Sequence, residues 1–192
     1  MTKTLAIGAL LWITVCTGIV QAQDIRIGLA GHWLINDEIS DNTDDQVEAA
    51  IEAGGGKASR GFFNRKKDFY RGGNPEHILY DRISYDDLLI IEFNNPEFRF
   101  TYEDDFLRVF HTDGRRRRVS ANSFYTEGGE DWSEGLFVDN SLVVEARPRD
   151  GGFTIETYTL EAEGQRLRIE MVIQPDSFGE PIELVRYFDR EN

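Results

Sequence analysis

Alternation of apolar and polar residues dominates the second half of this chain. Leu167, Ile169, Met171 and Ile173 share one parity, while Arg166, Arg168 and Glu170 take the other. Phe98, Phe100 and Tyr102 also share a face, as do Ile182, Leu184, Arg186 and Phe188. Period two is the signature of a strand with one buried face. The pattern predicts strands over 88–93, 98–102, 106–112, 115–125, 131–138, 142–147, 153–161, 166–174 and 182–189. An earlier strand carries Gly31, Trp33 and Ile35 at the same spacing. Turn residues separate these runs: Asn94-Asn95-Pro96, Asp104-Asp105, Asp113-Gly114, Gly128-Gly129, Asp139-Asn140, Asp150-Gly151-Gly152 and Glu163-Gly164. Asp113-Gly114 reads as the strongest hairpin signal, since a type I′ turn needs positive φ at both central residues. About ten short strands in unbroken succession predict an antiparallel meander. Closure into a barrel, or folding into a β-sandwich, would remove its exposed edges. The faces of 106–110 and 153–160 do not resolve from the pattern.

Between the first strand and this body the pattern changes. Asn42-Thr43-Asp44-Asp45-Gln46 is a helix start, with Thr43 and Gln46 spaced as a capping box and acids at the positive end. The helix runs through Val47, Ala50 and Ile51 to Gly54-Gly55-Gly56. Residues 57–73 mix glycines, aromatics and basic residues, and Asn74-Pro75-Glu76 reads as a second helix start. The whole insertion, about 41–83, forms a helical and Gly-rich arm on a single domain spanning 23–192.

Residues 1–22 stand apart. A basic start at Lys3, an apolar run from Leu5 to Val20 and small residues at Val20-Gln21-Ala22 read as a cleavable secretory signal. No stop-transfer pattern follows, so no membrane span is expected after its removal. The expected location is periplasmic or secreted. The single cysteine, Cys16, lies within this leader, and bulky Val15 before it does not suit lipid attachment. The exported chain would therefore carry no disulfide, and burial must hold it together.

The net charge is −14. Such an acidic chain lacks the basic footprint that nucleic acid or an anionic membrane surface requires. Arg115 to Arg118 follow a turn, where alternate side chains point to opposite faces, so cross-strand pairing with acids accounts for them better than a polyanion site. His32, His77 and His111 have no metal-ligand spacing and no cysteine beside them, so no metal or cofactor is expected. Acid clusters miss the EF-hand spacing, and no serine sits in a nucleophile elbow. Paired carboxylates suit glycosidase chemistry, but in so acidic a chain they need no catalytic explanation. No catalytic motif remains, and a non-enzyme is expected.

Gly31-His32-Trp33 resembles the Gly-x-Trp start of the lipocalin-like (calycin) barrels. The resemblance implies an arginine near the last strand packed over Trp33 at the barrel floor, and Arg186 and Arg190 have the required parity. The chain is also similar, over most of its length, to a broad group of exported bacterial proteins, through Leu29-Ala30-Gly31-His32-Trp33, Thr112-Asp113-Gly114-Arg115 and Arg186-Tyr187-Phe188-Asp189-Arg190. That likeness implies export and architecture, with no activity attached.

The expected architecture is thus a lipocalin-like β-barrel, with a sandwich as the alternative. The expected function is non-catalytic binding of a small apolar molecule in the lumen. Phe98, Phe100, Tyr102, Ile155, Tyr158, Leu167, Ile169 and Met171 are its candidate lining. The alternative is a protein-interaction or envelope-scaffold role, with a protein partner on residues 54–73.

Overall fold

The computed structural model describes residues 25–54, 87–103, 105, 107–115, 117–118, 132–147, 152–174 and 179–191. The leader, most of the arm, the second helix start and Phe106 lie outside them. Ten strands form one antiparallel sheet: β1 (Gly31–Ile35), β2 (Leu88–Asn94), β3 (Glu97–Tyr102), β4 (Leu107–His111), β5 (Arg117–Arg118), β6 (Trp132–Val138), β7 (Ser141–Arg147), β8 (Phe153–Glu161), β9 (Arg166–Gln174) and β10 (Ile182–Arg190). Their spatial order is β4-β3-β2-β1-β10-β9-β8-β7-β6-β5. The first and last strands of the chain therefore pair, with Trp33 opposite Arg190 and Ile35 opposite Phe188. That pairing turns a meander into a nearly closed barrel.

The seam lies between β4 and β6. There Gly135 has no side chain to hold the walls apart: a Cβ on it would lie 3.2 Å from Thr112 Cγ2 and 3.5 Å from the His111 carbonyl oxygen. This corrects one expectation from the turn signals. Asp113-Gly114 does not join a paired hairpin among the described residues, because β4 and β5 sit at opposite ends of the sheet order. Only Gly114 of the two takes positive φ, at 79°. Asp113 Oδ1 instead accepts from the Arg115 amide, a local turn that redirects the chain at the seam.

One helix, α1 (Thr43–Ala53), is described after β1. Its N-cap is Asn42, one residue before the expected Thr43, and the Asn42 side chain accepts from the Asp45 amide at 3.2 Å. Thr43 is released from capping and is buried against the body. The strap before the helix is tied to β10. Asn36 and Asp41 donate their amides to the Tyr187 and Val185 carbonyls, and Asp41 Oδ2 accepts from the Val185 amide at 2.7 Å. Val47 and Ala50 are buried in the main core. The helix ends where Gly54 meets Gly179, so closely that a Cβ on Gly179 would lie 3.0 Å from the Gly54 Cα.

At the other end of β10 a short helical stretch, 25–29, leads into β1. Trp33 is fully buried and its indole donates to the Leu29 carbonyl at 3.0 Å. Arg190 lies over the indole with its guanidinium carbon 4.1 Å from the ring centre. Its nitrogens donate to the carbonyls of Gly164, Ala30 and Gly28. Gly31 has a φ of 150°, and a Cβ there would collide with Arg190 Nη1. The Gly-x-Trp spacing thus has a physical cause: the glycine clears the approach that the arginine needs to reach the tryptophan. Arg186 does not share this place. It is buried and donates to the Thr43 hydroxyl, fastening α1 to β10.

Candidate functional site: the barrel interior

The interior face follows from burial along each strand. Phe98, Phe100 and Tyr102 on β3, Leu142, Val144 and Ala146 on β7, and Leu167, Ile169, Met171 and Ile173 on β9 all point inward. On β8 the inward set is Thr154, Glu156 and Tyr158. Ile155 is therefore a correction: it has the opposite parity, is only half-buried, and does not line the interior with Tyr158. The other seven candidate residues are all buried.

Much of this interior is filled ring against ring. Phe100 meets Phe110 at 5.2 Å between centroids and Tyr158 at 5.0 Å, both edge-on. Phe98 meets Phe93 at 4.5 Å and Phe137 at 6.1 Å. These are contact distances for aromatic pairs. The contact of Phe100 with Tyr158 joins β3 to β8, which are five places apart in the sheet order. Opposite walls of the barrel touch there.

Beside the rings runs a second crossing made of charge. Arg108 on β4 and Glu156 on β8 form a bidentate ion pair, Nη1 to Oε2 at 2.8 Å and Nη2 to Oε1 at 2.7 Å. Both side chains are wholly buried. Arg108 Nη1 also donates to the Tyr102 hydroxyl at 2.8 Å, and the Tyr158 hydroxyl donates to Glu156 Oε2 at 2.5 Å. The guanidinium carbon lies 4.7 Å from the centre of the Phe110 ring. Burial works against the charge on Arg108, but the carboxylate beside it outweighs that and holds the guanidinium well above its usual range. Burial pushes the Tyr102 phenol up to about 12, with Arg108 opposing the rise. Tyr158 is raised as well, by burial and then by the neighbouring Glu156 charge. Both phenols therefore stay neutral across the physiological range. They serve as hydrogen-bonding groups and not as bases.

The residue alternation pointed to Tyr102 and Tyr158 and missed their partners. Arg108 has the parity of Phe110, a charge on an aromatic face, and that was its only signal. Glu156 had none, because Phe153 and Ile155 make the opposite face of β8 look the more apolar. One more interior polar group was missed. Thr154 precedes Glu156 on the same face, is 1% exposed, and its hydroxyl has no hydrogen-bond partner among the described residues. No group of three or more metal-binding side chains occurs among the described residues.

No family model and no curated protein sequence matches this chain. Solved structures do match in shape. A protein titled REP1-NXSQ fatty acid transporter superposes with a TM-score of 0.52 at 11% identity, covering 86% of this chain and 98% of that one. The apo lipid binding protein 8 of Caenorhabditis elegans gives 0.52 at 12% identity, over 86% and 96%. Human cRBP IV gives 0.50 at 14%, over 85% and 98%. At such identities the likeness is one of fold. By fold, the chain is a mainly β, nearly closed antiparallel barrel, lipocalin-like in architecture.

Proposed function

We propose that this chain is an exported, non-catalytic binding module that takes a small apolar molecule into its barrel. The observation behind it is the interior itself: apolar faces on β2, β3, β7, β9 and β10, interrupted by a few buried polar groups on β4 and β8. That composition suits a ligand site, where apolar walls supply affinity and sparse polar groups set orientation. Two proteins of the same fold are named for a fatty acid and for lipid, which supports the reading.

The ring contacts restrict where such a ligand fits. Phe98, Phe100 and Tyr158 already have aromatic partners, so the region they occupy is core. Tyr102 and Met171 border the Arg108–Glu156 crossing, Met171 through its register with Glu156. We place the ligand on the α1 side of that crossing, away from the ring contacts. Export belongs to the same proposal and rests on residues 1–22 as a cleaved leader.

Native mass spectrometry of the chain, purified from its own host without denaturant, tests the reading. A discrete added mass that disappears on solvent extraction is expected. A ligand-free mass under conditions that keep a lipid-binding control barrel loaded would overturn it.

A further inference from the structure

Thr154 carries an interior hydroxyl that the described hydrogen bonds leave unused. It stands second on β8, between Ala146 on β7 and Ile173 on β9, with Ile182 of β10 next in the same row. The row is closed to solvent and, apart from Thr154, these three neighbours are apolar and buried. A valine would fill the same shape without a stranded hydroxyl. Native interiors rarely keep a buried polar group unsatisfied, and where they do a reason is needed. Neighbouring Glu156 provides a contrast: its oxygens are taken by Arg108 and Tyr158.

Position supplies the second argument. Thr154 lies one interior step from Glu156, away from Tyr158 and the ring contacts. It is on the side where β10 begins and where Gly179 meets the end of α1. A molecule held between the ion-pair crossing and α1 would have this hydroxyl on its wall.

Charge supplies the third. One interior step along a strand is about 7 Å. An anion at Thr154 would be taken out of water about that far from an Arg108–Glu156 pair whose charges already cancel, so that pair does not offset its desolvation. The other buried cation, Arg186, sits two rows further along β10 and donates to Thr43. An uncharged oxygen meets no such penalty.

Building on the binding reading above, we infer that Thr154 is the polar anchor of the site. The ligand is an uncharged apolar molecule carrying a hydroxyl or carbonyl oxygen. The threonine hydroxyl can donate to a carbonyl, or donate to and accept from an alcohol.

A matched set of probes tests this on the delipidated protein: decan-1-ol, decan-2-one and decanoate, titrated by calorimetry against the parent, Thr154→Val and Thr154→Ser. The alcohol and ketone are expected to bind more tightly than decanoate. Thr154→Val should weaken both by roughly 5–10-fold, the loss of one hydrogen bond, and Thr154→Ser should recover most of that. Tightest binding by decanoate would overturn the inference, as would alcohol and ketone binding that ignores Thr154→Val; either result leaves the binding reading standing. Failure of all three probes to bind would overturn the inference and the binding reading together.

Discussion

Arg108 and Glu156 close a bidentate ion pair across the barrel interior, with neither side chain reaching solvent. Taking two charges out of water is expensive, and the pair repays it only because each partner is further satisfied, by Tyr102 and Tyr158. Removing one partner strands the other. Glu156→Leu and Arg108→Met should each cost about 3–5 kcal/mol in urea unfolding. The double variant Arg108→Met/Glu156→Leu should lose much less than the two singles together. Additive losses would mean that the pair does not act as a unit.

The same cluster sets a pH dependence. An unfolded tyrosine ionises near pH 10, whereas folded Tyr102 holds its proton to about 12. Its folded pKa is the higher one, so the native state binds more protons in that window. Stability is then fully present below about pH 10 and falls as pH rises toward 12. Tyr158 acts in the same direction. Stability measured against pH should decline steeply above about pH 10, and Tyr102→Phe should flatten the decline. Ultraviolet titration of tyrosinate in the folded protein should show these phenols ionising late or only on unfolding.

At the opposite end of the barrel, Trp33, Arg190 and Gly31 form one contact. Trp33→Ala should cost about 3–5 kcal/mol, as truncation of large buried aromatics does. Gly31→Ala should cost about 1–3 kcal/mol, although it adds a single methyl, because that methyl collides with Arg190. Thermal unfolding of both variants decides this. A neutral Gly31→Ala would show that Arg190 gives way without loss.

The arm is held at its root by local chemistry. Asn42→Ala removes the cap on α1 and should cost about 1 kcal/mol. Thr43→Ala should instead act through Arg186, whose guanidinium donates to that hydroxyl. A double-mutant cycle of Thr43→Ala with Arg186→Met should show coupling, and Asn42→Ala with Arg186→Met should show far less.

Thr154→Val should make the ligand-free protein as stable as the parent or more stable by about 1 kcal/mol, because it removes a buried unsatisfied hydroxyl and keeps the shape. A substitution that raises stability while weakening ligand binding marks a residue kept for its function. Denaturation of the delipidated protein is the check; a clear loss of stability would give the hydroxyl a structural role instead.

Where alternation is clean, sequence and structure agree strand for strand. Arg166 to Gln174 form β9 with the apolar set inward, and Ile182 begins β10 with Leu184 and Phe188 buried. Period two is local: one buried face writes itself into neighbouring residues, so these strands and the first strand around Trp33 could be read directly, as could the helix near Val47 from its start and stop signals. Closure, face choice and polar partnership are not local. The seam between β4 and β6, the inward turn of Thr154, Glu156 and Tyr158 in place of Ile155, and the meeting of Arg108 with Glu156 join residues far apart in the chain. Nothing near either member of such a pair announces the other. Only the pairing of β1 with β10 brings those walls together, and burial at the centre then demands that each charge find its partner.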